Sequence, residues 1–358
     1  MATTHLVGSV GLDDAEDVFR TAAKHLGDSL RRLPDGERGE RDHWIGFQYD
    51  VLCSAEGIEA GPVVERTPGL LNPEVRMTRS VAEISLPELR YRQHAETSYA
   101  LLRRLKDEGA VPEHVRFQVC LPTPVAVVNA YVPAEAKAAF EEVYERAMVR
   151  ELERILAVIP AGELAIQWDV AHETALLEGY GAPWFGDSDG EGAGDGEGDV
   201  LGSVTERLAR LGTAVPEAAE LGYHLCYGNR DRKHFKEPAD LSLLVRLANA
   251  VGATLPRRID WFHMPVPHYR TDHAYFLPLR DLDRPEAHLY LGLVHQIDGV
   301  AGAQRRSDVA AQVLAGGRGF GVSTECGIGQ VPADVVPRDW ITETLDICQA
   351  VSTPEHRG

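Results

Sequence analysis

Residues 223–229 read YHLCYGN, and residues 323–329 read STECGIG. His224 and Cys226 stand two apart, so in an extended strand both side chains leave the same face. An imidazole and a thiol placed this way can pack as part of a core, as free cysteines often do. They can also form half of a soft metal site, and Cys326 offers a second sulfur. Other polar groups recur at the ends of apolar runs. They are Ser9, then Asp35, Glu37, Glu40, Arg41 and Asp42 in the stretch DGERGERD, and Asp169, His172 and Glu173. Further along come His263, with His268 and His273 beyond it, then His295, Asp298 and Glu325. Thiolates with imidazoles suit zinc, carboxylates suit a substrate ammonium, and a histidine suits proton transfer.

Eight short β-rich runs must carry these groups: 5–9, 29–34, 115–121, 164–170, 222–228, 258–264, 288–294 and 319–326. Helical periodicity fills most of the gaps, as in DAEDVFRTAAKHL after the first run and the long amphipathic stretch 133–159 after the third. Gly109 marks the end of the helix that precedes the third run. Eight strands alternating with helices predict a single (β/α)8 TIM barrel over residues 1–358. An open doubly wound sheet would carry a Gly-rich phosphate turn after its first strand, and VGSVGLDD is a poor match. In a barrel, catalytic groups gather at the C-terminal ends of the strands, where the polar residues above fall.

The chain has 55 acidic against 36 basic residues, a formal net charge of −19. That balance repels phosphate backbones and anionic lipid, so nucleic acid and membranes are poor partners. Six of the acids lie in the Gly-rich stretch at 186–199, read as a disordered loop. The first ten residues lack the charge and apolar run of a secretory signal, and no apolar run reaches about 20 residues. The five cysteines are scattered and odd in number, which argues against a disulfide framework. A soluble, cytoplasmic protein with reduced thiols is the expectation.

Five of these segments, in order, resemble cobalamin-independent methionine synthase, in its catalytic C-terminal barrel, within the uroporphyrinogen decarboxylase/methionine synthase-like superfamily. HLVGS resembles the family's opening I-G-S, and PDGERGERDHWIG resembles its H-G-E-x-E-R-N-D-M-V segment. AIQWDVAHE resembles Q-I-D-E-P-A, YHLCYGN the H-x-C zinc strand, and STECGIG the closing P-D-C-G-L. The resemblance spans residues 5–329 and implies Zn2+ held by His224, Cys226 and Cys326. The family's remaining ligand is a Glu on the next strand, and the matching place here reads His263. Substrate contacts would fall on Gly8, Ser9, Glu37 and Asp169, and the catalytic histidine's segment on His295 and Asp298. The implied reaction is zinc-dependent methyl or alkyl transfer to a thiol such as homocysteine. The methyl donor stays open, folate or another. Alternatives are a diverged hydrolytic or lyase reaction at the same zinc, or a non-catalytic amino-acid-binding barrel.

Overall fold

The computed structural model describes residues 3–67, 70–185, 197–230, 232–314 and 318–352. Ten strands occur among them: β1 Thr4–His5, β2 Arg32–Pro34, β3 Ile58–Thr67, β4 Leu70–Met77, β5 Arg116–Pro122, β6 Leu164–Val170, β7 Glu220–Leu225, β8 Trp261–Pro265, β9 His288–Val294 and β10 Phe320–Thr324. Eight of them form one parallel sheet in the order β1-β10-β9-β8-β7-β6-β5-β2. Bridges from Thr4 to Leu30 and from Ser9 to Gly36 join its two ends. The result is the single (β/α)8 barrel expected, with a helix or loop crossing after each strand.

The strands are short apolar runs because both faces are covered. All seven residues of β6 are buried, as are all five of β8. Helices Ala15–Leu26, Tyr91–Asp107 and Lys137–Val158 lie where the 3.6-residue patterns placed them. Asp14 caps the first by accepting from Asp17 N. Gly109 follows Tyr91–Asp107 at a φ of 73°, and its N–H donates to Lys106 O.

Alternate residues change character along the barrel interior. β6 runs Ala165, Gln167, Asp169, β7 with its extension runs Gly222, His224, Cys226, and β8 runs Trp261, His263. Ala165, Trp261 and Tyr290 pack together at the N-terminal end, with the Arg32 guanidinium 4.0 Å above the Trp261 ring. Apolar packing thus closes one end, and polar chemistry occupies the other.

Two features depart from the sequence reading. The antiparallel hairpin β3–β4 was not anticipated, because Gly61, Pro62 and Pro73 interrupt its strands. Most of the acidic stretch 186–199 lies outside the described residues. Its last three residues belong to helix Glu197–Thr213 rather than to a loop. No described helix is long and apolar enough to cross a membrane.

Candidate metal centre and carboxylate pair

β7 and the turn after β10 bring His224, Cys226 and Cys326 together, with one ligand atom from each lying within 4.8 Å of the others. Cys226 Sγ is 3.7 Å from Cys326 Sγ, and Cys326 Sγ is 3.6 Å from His224 Nε2. Zinc–sulfur and zinc–nitrogen bonds in a tetrahedral site imply S···S of about 3.8 Å and S···N of about 3.5 Å. The observed separations match both, so these residues fit a zinc ion. The two thiols hold a hydrogen bond between them, which pushes Cys226 up and Cys326 down. Burial, with His263 and His5 nearby, holds His224 well below the usual histidine range, in the neutral form a metal requires.

His263 does not join this cluster. Its Nδ1 lies 2.7 Å from His224 Nδ1 and its Nε2 lies 3.0 Å from Thr324 O. Strand register sets His224 beside His263, so the two rings meet edge to edge behind the cluster. The structure thus places His263 outside the cluster, with both of its nitrogens hydrogen-bonded to other groups.

Beside this cluster stand Glu37 and Asp169, both buried, with Asp169 on β6 in register with His224 on the neighbouring β7. The loop holding Glu37 is forced into place, since Glu37 and Trp44 both adopt left-handed backbone, at φ of 54° and 55°. Left-handed backbone at a residue with a Cβ costs about 1–2 kcal/mol and persists where the surroundings impose it. Burial, and then the charge of Asp169, push the Glu37 carboxyl well above the usual range. Burial also raises Asp169, and the Cys326 sulfur adds to it, against hydrogen bonds from Gln167 and Trp44. Gln167 Nε2 donates to Asp169 Oδ1 at 2.9 Å and to Val7 O at 2.5 Å. The charge of Arg41 offsets only part of this for Glu37, because that guanidinium is hydrogen-bonded to Asp35, and Asp169 lies within electrostatic reach of Cys326.

Gly8 and Ser9 sit between these two groups. A Cβ on Gly8 would stand 3.3 Å from Glu37 Oε1 and 3.3 Å from Cys120 Sγ. Ser9 Oγ would lie 2.2 Å from a Cβ on Gly327, so glycine after Cys326 is what lets the serine approach the metal turn. Ser9 O also accepts from Ile328 N at 2.8 Å, tying β1's extension to that turn.

His295 and Asp298 part company. His295 Nε2–H donates to Val266 O at 2.7 Å, and Nδ1 faces Glu325 Oε2 at 3.8 Å. Burial lowers the His295 pKa, so its ring is neutral with Nδ1 open. Asp298 is instead held by both of its oxygens on the buried Arg306, at 2.6 and 2.8 Å. Its carboxyl is kept below the usual range because that guanidinium outweighs burial. The structure thus ties Asp298, expected beside His295 as a catalytic group, to Arg306.

Sequence reasoning passed over three residues at the mouth, Trp44, Gln167 and His234, and placed a fourth, Glu325, at a strand end without giving it a role. Trp44 hydrogen-bonds Asp169, and Gln167 orients it. Glu325 stands between His295 and His234, whose Nε2 lies 3.2 Å from Glu325 Oε1. His234 is pushed up to about 9, because Glu325 and Glu237 outweigh the effect of burial. Position one residue before Cys326 was a usable signal for Glu325. His234 gave none, since its loop had no anchor in the pattern.

No family model matches the chain, and no curated protein matches it. Among solved structures, a B12-independent methionine synthase from Shewanella sp. W3-18-1 in complex with selenomethionine is similar, with a TM-score of 0.55. Identity is 12%, and the match covers 98% of this chain and 96% of that one. At that identity the likeness establishes a shared barrel architecture for this chain.

Proposed function

We propose that this barrel is a zinc-dependent alkyltransferase acting on the sulfur of a small amino-acid thiol such as homocysteine. One observation carries the reading: a His-Cys-Cys cluster at zinc spacing shares a barrel mouth with a buried carboxylate pair whose pKa values are both raised. The first suits a thiol and the second suits an ammonium, and a thiol-bearing amino acid has both. The neighbour's bound selenomethionine, the selenium analogue of an S-methylated amino acid, is in keeping with such a ligand.

Glu37 and Asp169 would take the substrate ammonium, whose charge relieves two acids that burial otherwise drives toward neutrality. Gly8 and Ser9 lie against the Cys326 turn, where backbone and hydroxyl can receive the carboxylate end. Zinc on His224, Cys226 and Cys326 would lower the pKa of the substrate thiol and keep its sulfur nucleophilic at neutral pH. In the transfer, a sulfur–carbon bond forms and the bond from that carbon to the donor's leaving atom breaks, its electron pair staying with the leaving atom. The proton lost by the thiol balances the one the leaving atom gains. His295, with Nδ1 open and Glu325 facing it, is the group proposed to carry that proton.

Metal analysis of the purified protein tests the reading. One zinc per chain is expected, with large loss in both Cys226→Ser and Cys326→Ser. Full zinc content in both variants would overturn it.

A further inference from the structure

His263 is buried to zero exposure and bridges the two strands that carry the candidate ligands. Its Nε2 is 3.0 Å from the carbonyl of Thr324 on β10, two residues before Cys326. Its Nδ1 is 2.7 Å from Nδ1 of His224 on β7. A carbonyl only accepts, so His263 Nε2 carries a hydrogen, and a neutral imidazole then leaves its Nδ1 bare. Two hydrogens cannot face each other across 2.7 Å, so the one between the rings belongs to His224 Nδ1. That assignment leaves the lone pair of His224 on Nε2, the nitrogen that lies 3.6 Å from Cys326 Sγ.

We infer that His263 is a positioning residue, not a metal ligand, that locks His224 in the Nδ1–H tautomer and turns its Nε2 lone pair toward the two cysteines. The inference rests on the metal reading above. A histidine ligand commonly donates its second N–H to a carboxylate, carbonyl or water, which fixes the ring and raises its basicity. Here an imidazole fills that role, and the chain Thr324 O, His263, His224 runs from one ligand-bearing strand to the other. Rotating His263 toward the cluster would strand both the Thr324 carbonyl and the His224 N–H in a buried place.

Zinc binding to wild type, His263→Gln and His263→Leu separates the possibilities. Glutamine keeps one acceptor and one donor on a side chain of similar reach, and leucine keeps neither. Competition against a chromogenic chelator is expected to show zinc affinity lowered about 10–100-fold in His263→Leu and largely restored in His263→Gln. Zinc-edge absorption is expected to show two sulfurs and one imidazole in wild type and in His263→Gln alike. Two imidazoles in wild type, falling to one in the variants, would make His263 a ligand and overturn the inference. So would a folded His263→Leu that binds zinc as wild type does. If His263→Leu fails to fold, His263→Asn, which is too short to span both partners, takes its place with the same expectation. A wild-type protein that takes up no zinc overturns the metal reading itself, an outcome distinct from either of these.

Discussion

Glu37 and Asp169 on one side of the barrel mouth contrast with Asp35 and Asp298, acids of the same class close by. Asp35 receives Arg41 Nη2 at 2.6 Å, Ser98 Oγ at 2.7 Å and Glu37 N at 3.1 Å. Burial alone would raise it, yet Arg41 and these donors hold it below the usual range. Asp298 is gripped likewise by Arg306. Glu37 lies only two residues from Asp35 and is driven the other way, by burial and by Asp169. A compensated buried acid stabilises the fold, and an uncompensated buried pair waits for a cation. Compensation, rather than position at a strand end, separates structure from site.

Removing Asp298 is the strongest way to break this contrast. Asp298→Ala leaves the fully buried Arg306 without its carboxylate, and about 3–5 kcal/mol of stability is expected to go. Denaturant unfolding measures it, and a loss below 1 kcal/mol would remove Asp298 from the structural class. Asp169→Asn should do the reverse, holding or raising stability while weakening an amino-acid ligand by about 10–100-fold, the worth of one charge-assisted hydrogen bond. Calorimetric titration with homocysteine against unfolding data separates those two effects, and a stability loss matching that of Asp298→Ala would erase the distinction.

The same contrast has a pH signature. Both acids of the pair have folded pKa values above their unfolded ones, so in that window the native state binds more protons than the unfolded chain. Their contribution is complete at acid pH and falls as pH rises from the ordinary carboxylate range through the raised folded values. Asp35 and Asp298 contribute with the opposite sign, present above the ordinary range and lost as pH falls through their lowered values. Glu37→Gln should therefore flatten the decline on the neutral side and leave the acid limb alone, as read from unfolding curves across pH. The smallest effect belongs to Ser98→Ala, which takes one donor from Asp35 and should cost about 1–2 kcal/mol without touching ligand affinity.

Alternating patterns and strand count sufficed for the barrel, because parallel strands covered on both faces must be short apolar runs and helices between them must be amphipathic. The His224–Cys226 pair was legible for a related reason, since period two fixes a common face. The β3–β4 hairpin was not, because Pro62 and Pro73 contradict local strand chemistry and only pairing across Gly61 and the opposing strand accommodates them. Glu325 was legible at the end of its run, but its pairing with His234 was not, because their meeting depends on two loops from different strands.

The sequence by itself determined which residue types reach the barrel mouth: two thiols, several imidazoles and a surplus of acids, each at the end of an apolar run. Only the tertiary structure decided what each one does there. Hydrogen bonds turned His263 away from the cluster toward His224 and Thr324, and Arg306 took Asp298 into an ion pair. Glu37 and Asp169 were left with burial outweighing the charges and donors that face them. Period and composition act along the chain, whereas donor, acceptor and charge balance depend on neighbours tens or hundreds of residues away.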